Sequence, residues 1–117
     1  MMQSNIKVEE ASNLAIVHMA GRVEHNTIAL LERALMHLLQ KGQFRIVLDC
    51  TQVSYLNSAA MIMLSEYQDK AQDCGGDVKW VGLKDDLLTM LELLCDNSAL
   101  EMFHNRKQAQ ESFQRAA

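Results

Sequence analysis

Ile6 and Val8 alternate with Lys7 and Glu9, the two-residue period of a strand with one dry face. Leu14 to Met19 reads as a second strand, and Ser12-Asn13 fits a tight turn between the two. Gly21-Arg22-Val23 leads to Asn26, which is placed to cap a helix. From there Ile28, Leu31, Leu35 and Leu38 recur at helical spacing, with Ala34 and Leu39 widening the stripe. Gly42 ends that helix, and Phe44 to Asp49 forms a third strand that runs into a polar turn. A second long helix is expected over Ser58 to Cys74, with Ala60, Leu64, Tyr67, Ala71 and Cys74 facing inward. Gly75-Gly76 stops it, and Asp77 to Val81 is a fourth strand. Asp85-Asp86 suits a helix start, since acids complement the partial positive charge there. Leu87, Leu88, Leu91, Leu94 and Cys95 make the buried face of that helix. A short apolar stretch, Leu100 to Phe103, precedes a polar terminal helix from Arg106 to Arg115.

The order is β-β-α-β-α-β-α, then a short extended piece and a helix. Helical crossovers make the strands they join parallel and right-handed. The first two strands are joined too tightly for a crossover and form a hairpin. The predicted fold is therefore α/β, a mixed sheet of four to five strands with helices mainly on one face. Lys7, Glu9 and Lys79 between apolar neighbours imply that the other face is less covered. The 117 residues are expected to make one domain, 1-117, with a single core.

Composition narrows the function classes. The apolar share is 49% and the net charge −4, with no stripe of Lys and Arg to hold nucleic acid or an anionic membrane. No apolar run approaches the roughly 20 residues that span a bilayer, and Met1 to Lys7 lacks a secretory pattern. Cys50, Cys74 and Cys95 are odd in number and far apart, which points to a reducing, cytoplasmic setting rather than a disulfide framework. No His stands at zinc-like spacing from them and no Gly-rich phosphate loop is present, so neither metal nor cofactor is expected. His18, His25, His37 and His104 are scattered, and Cys50 with His25 is the one pairing that could serve nucleophilic catalysis. No enzyme activity is expected.

The richest stretch is Ile46 to Met61, IVLDCTQVSYLNSAAM. An apolar strand ends in Asp49; Val53-Ser54-Tyr55-Leu56 follows; then Asn57-Ser58-Ala59-Ala60 opens an amphipathic helix. Asn at an N-cap accepts from unpaired N–H groups of the first turn, whose partial charge also suits an anion. This stretch resembles the signature of the STAS domain of bacterial anti-sigma factor antagonists. In that family a strand ending in Asp is followed by a turn and by Asp-Ser-Ser/Thr-Gly at the helix start. Further resemblances lie in Gly21-Arg22-Val23-Glu24, in Gly75-Gly76 with Val81-Gly82-Leu83, and in Leu87 to Leu94 followed by Phe103. They cover nearly the whole chain in the family's order.

The resemblance implies a regulatory protein that binds a kinase-type anti-sigma factor or related regulatory protein, with a homodimer also open. It places the partner surface at Ser54, Tyr55, Asn57, Ser58, Ala59 and Ile62. The departures matter most. Asn57 replaces the motif's Asp and Ala60 its Gly, while Ala59 occupies the position the partner kinase phosphorylates. Ala has no oxygen to accept a phosphoryl group, so the loop is expected to stay in its binding form. The alternative is a switch moved to Ser58 or Ser54, against the plainer reading of Ser58 as a common residue beside a cap and of Ser54 as partly packed. A second implied role is a constitutive scaffold, or an accessory subunit of a signalling assembly or membrane transport complex. Met61 and Met63 flank the loop as an adaptable contact patch or as core filling. Asp49 is a functional carboxylate or, more simply, an acceptor for turn N–H groups.

Overall fold

A computed structural model describes residues 5–11, 13–95 and 102–115. The elements are β1 (Asn5–Glu10), β2 (Ala15–Val23), α1 (Asn26–Gln40), β3 (Arg45–Leu56), α2 (Ser58–Asp73), β4 (Asp77–Val81), α3 (Asp85–Leu94), β5 (Met102–Phe103) and α4 (Arg106–Arg115). They build a five-stranded sheet in the order β1-β2-β3-β4-β5. β1 is antiparallel to β2 and the rest are parallel. This is the expected mixed α/β sheet. Ser12 of the expected turn and Leu100 of the expected apolar stretch lie outside the described residues. The hairpin closes with the Ala11 N–H donating to the Leu14 carbonyl at 2.9 Å.

The strand order explains where the helices go. Each crossover moves one strand further in the same direction, so right-handed connections keep α1, α2 and α3 on one face. There Leu31, Leu35 and Leu38 of α1, Leu64 and Ala71 of α2, and Leu87 and Leu91 of α3 close over Leu48, Val78 and Trp80. No parallel strand follows β5 among the described residues, and α4 turns back over the other face. It buries Ala109 and Phe113 against Leu14, Ile16, Val47 and Val81.

That helix corrects the reading of Lys79. It is 4% exposed, so the second face is covered at β3, β4 and the start of β2, where Ile16 is buried, and is open at β1. The Lys79 ammonium donates to the Ser112 hydroxyl and stands 4.5 Å from the Phe113 ring centroid. A hydroxyl and an aromatic face let a cation lie beneath a helix.

Other boundaries also move. β3 does not end at Asp49 but runs to Leu56, with two register shifts against β2. His18 faces Asp49 while Ala20 faces Gln52, so a bulge absorbs an extra residue where a polar turn was expected. Cys74 is exposed as the C-cap of α2, Leu94 is exposed and Cys95 is half-buried, against their expected burial. Asn26 is the first helical residue of α1 and not its cap; His25 holds that position without a side-chain cap bond.

His25 has φ 53 and ψ −122, and the Thr27 N–H donates to the Glu24 carbonyl at 3.1 Å. This is the first central position of a mirror-image β-turn, where glycine fits and a side chain is strained. His25→Gly is expected to raise stability by about 1 kcal/mol, the relief exceeding glycine's extra freedom in the unfolded chain. Urea denaturation would read it as a higher midpoint at unchanged slope; a lower midpoint would mean that the imidazole makes a contact worth more than the strain.

Candidate functional site

Beyond Asp49, β3 has outrun β4, whose last residue Val81 lies opposite it. The final residues of β3 therefore have a neighbour on the β2 side only. Val53 and Leu56 are buried and anchor this overhang, while Tyr55 is half-buried and Ser54 is exposed. The single neighbour is why Ser54 is not partly packed as expected.

At the end of the overhang Asn57 caps α2. Its side-chain oxygen accepts the Ala60 N–H at 2.9 Å, and its own N–H reaches the Val23 carbonyl at 3.3 Å. The cap thus fixes α2 both to its own first turn and to the end of β2. Ala60 and Met61 are fully buried beneath that turn, so the helical period turns Ser58, Ala59 and Ile62 outward. Ile62 keeps 44% of its surface exposed, a large apolar group beside two small exposed residues. Met61 and Met63 both fill core, which removes them from a contact patch. Asn57→Ala is expected to cost about 1 kcal/mol, the usual worth of such a cap. Asn57→Asp keeps the acceptor and adds charge complementary to the helix dipole, so thermal denaturation should place it at or above the unsubstituted protein.

The structure adds Arg22, a neighbour that the sequence pattern did not place at this surface. Parallel pairing sets Arg22 opposite Tyr55 and Val23 opposite Leu56. The Arg22 guanidinium lies 4.5 Å from the Tyr55 ring centroid and donates from Nε to Glu24 at 2.8 Å. That hydrogen bond holds the Glu24 carboxyl below the usual range and raises the Arg22 guanidinium further above its own. Gly21-Arg22-Val23-Glu24 was visible as a motif, but its place beside Tyr55 follows from the two shifts in register. Arg22, Ser54, Ser58, Ala59 and Ile62 are exposed and Tyr55 and Asn57 half-buried, a ridge polar and aromatic at one end and apolar at Ile62.

Groups with enzymatic promise are not so arranged. Cys50 is buried, and burial pushes its thiol far above the range of a reactive thiolate. This removes the Cys50–His25 pairing. Burial pushes the Asp49 carboxyl up, but the Thr51 hydroxyl and N–H, at 2.7 and 3.1 Å, and His18 outweigh it and leave Asp49 below its usual range. Asp49 is therefore an acceptor for Thr51, two residues on within β3 and not in the turn that its plainer reading expected, and also a partner of the His18 ring at 2.9 Å. Among the described residues no group of His, Cys, Asp and Glu could hold a metal ion. An open cleft of about 440 Å³ between β3 and the start of α4 is lined by Asp49, Thr51, Val81, His104, Arg106 and Gln110 among others, and by none of the ridge residues. No helix among those described is long and apolar enough to cross a membrane.

Residues 6–95 match the family model described as Mlab, STAS domain. The chain belongs to the STAS family. The matched segment runs from β1 to just past α3, so the STAS core contains the ridge, while β5 and α4 follow it. Solved STAS-like structures extend the likeness over the rest. An anti-sigma factor antagonist from Mycobacterium paratuberculosis has a TM-score of 0.83 at 17% identity, covering 96% of this chain and 95% of its own. The antagonist SpoIIAA in its unphosphorylated form gives 0.78 at 9% identity, covering 97% and 100%. A chain of the stressosome, a signal integration and transduction hub, gives 0.73 at 12% identity, covering 94% and 97%. No curated protein matches the chain.

Proposed function

We propose that this STAS protein is a single-domain, non-enzymatic regulator that acts in the cytoplasm by occupancy, docking a kinase-type anti-sigma factor or related regulatory protein on the ridge of Ser54, Tyr55, Asn57, Ser58, Ala59 and Ile62. Whichever protein sits there cannot hold its other partner. The observation that carries this reading is the start of α2, where a capped, well-anchored turn leaves Ala59 exposed; by resemblance this is the family's acceptor position. A phosphoryl group there would add roughly −1.5 to −2 charges and expel a packed partner; Ala59 cannot take one, so binding is constitutive with respect to this site. The solved neighbours described as anti-sigma factor antagonists support the partner class.

The test is to mix the purified protein with the kinase-type anti-sigma factors of its own genome and ATP, then measure complex formation and intact mass. A stable complex at unchanged mass is the expected result. One phosphoryl group added at Ser58 or Ser54, with release of the partner, would mean that the switch has moved. Both hydroxyls lie on exposed residues.

A second reading, a constitutive scaffold or an accessory subunit, is favoured by a second exposed surface. Leu93 keeps 81% of its area exposed, Leu94 44% and Met90 36%, spaced to share one side of α3. The stressosome neighbour, a chain of a signal integration and transduction hub, fits such a role. Isolation from its native cell in fixed stoichiometry with a larger assembly would favour it, and recovery with a soluble kinase alone would count against it.

A further inference from the structure

β1 is an outer strand, paired with β2 on one side and with no strand on the other among the described residues. Every residue of it except Ile6 is exposed, including Val8 at 41%. Such an edge leaves a row of N–H and C=O groups ready for another strand, and proteins commonly blunt it with charge or proline. This chain has no proline, and the charges on β1 are ordered so as to select a partner.

Consider a second copy laid antiparallel along β1 across a two-fold axis normal to the sheet. Each residue then stays on its own face, so only positions of equal parity can stand opposite one another. Pairing centred on Lys7 sets two ammonium groups face to face, and pairing centred on Glu9 does the same with two carboxylates. Pairing centred on Ile6 sets Ile6 against Ile6 and Asn5 against Lys7, with no opposite charges across the pair. Pairing centred on Val8 sets Lys7 opposite Glu9 twice, Val8 against Val8, and Ile6 against Glu10. Opposite charges directly across a pair of strands stabilise it and like charges destabilise it, so a single register is selected.

We propose that the chain forms a homodimer through antiparallel β1–β1 pairing centred on Val8, which joins two five-stranded sheets into one. Glu9 is prepared for this. Its Oε1 takes the His18 ring at 3.0 Å and Arg106 at 3.2 Å, and a carboxylate has about four acceptor sites in all. The hydrogen bond from His18 foremost, with Arg106 adding, holds Glu9 below the usual carboxylate range and hence charged. Glu10 already carries Lys41 at 2.7 Å on the opposite face, so no lone carboxylate is set against Ile6. A six-residue strand is a small interface, so the dimer is weak and concentration-dependent.

Sedimentation equilibrium should show the 13.2 kDa chain rising toward twice that mass as its concentration is raised. The rise is expected between roughly 10 μM and 1 mM. Lys7→Glu, which opposes like charges twice, should raise the dissociation constant by about tenfold or more. Glu9→Lys should do the same, and an equal mixture of the two variants should recover dimers, because both ion pairs are restored in swapped form. Glu9→Lys also removes the His18 and Arg106 contacts; should it fail to fold, Val8→Asp supplies the second case by setting two carboxylates on the axis. A monomer at every concentration overturns the proposal. So does a dimer whose constant neither Lys7→Glu nor Val8→Asp changes, since it would use another surface.

Discussion

Gly76→Ala should destabilise the protein by about 3 kcal/mol, the upper end of the usual cost of overpacking. α2 ends in a Schellman motif: the Gly76 N–H donates to the Ala71 carbonyl at 2.8 Å and the Gly75 N–H to Gln72 at 3.0 Å. The two glycines serve different needs. Gly75 has φ +86 with open space around its missing side chain, so it is there for conformation. A Cβ on Gly76 would stand 2.0 Å from the carbonyl oxygen of Phe44, which is backbone and cannot rotate away. The Phe44 carbonyl also accepts the Asp77 N–H at 2.9 Å, so displacing it strains the entry into β4. Gly75→Ala should cost only about 1–2 kcal/mol, the left-handed penalty of an ordinary residue. Against a total stability of about 5–15 kcal/mol, Gly76→Ala should lower the melting temperature by roughly 10–20 °C. Differential scanning calorimetry of both variants checks this, and an equal or smaller loss for Gly76→Ala would show that Phe44 yields without cost.

The second large effect falls on binding. Ala59→Glu should weaken the complex with a ridge-docking partner by about a hundredfold, because it sets a charge where the partner must pack. The same substitution should not harm the fold. Position 59 is exposed in the first turn of α2, where a negative charge is worth about 0.3–1 kcal/mol in favour of the helix. A variant that melts no lower than its parent yet no longer binds separates an interface effect from unfolding. Ala59→Ser supplies the converse. It supplies a hydroxyl at the position the proposed function takes as the acceptor, and with a kinase-type partner and ATP the protein should on that proposal gain one phosphoryl mass and release the partner. Titration calorimetry and intact-mass spectrometry read the two results; unchanged affinity for Ala59→Glu would place the partner elsewhere, with the exposed Leu93 side of α3 the next surface to vary.

The element order was legible in the sequence because each element carries its own signal. Period-two alternation marked β1, the 3.6 spacing of Leu31, Leu35 and Leu38 marked α1, and the left-handed glycines at 42 and 75 marked helix ends. The cap at Asn57 was legible for the same reason, since its acceptor serves an N–H only three residues away. Sequential strand order with right-handed crossovers then placed the first three helices on one face. Apart from the cap of α1, which falls on His25 and not on Asn26, what failed depended on a distant neighbour. The extension of β3 through Cys50 to Gln52 looks like a polar turn, and only pairing with β2, shifted twice in register, holds it as strand. Those shifts bring Arg22 over Tyr55 and so complete the ridge. Lys79 reads as a solvent residue, and only α4, about 30 residues along the chain, supplies the hydroxyl and ring that keep it covered. Local chemistry settles within one turn of the chain; register and burial are set by contacts between segments, which a linear pattern does not contain.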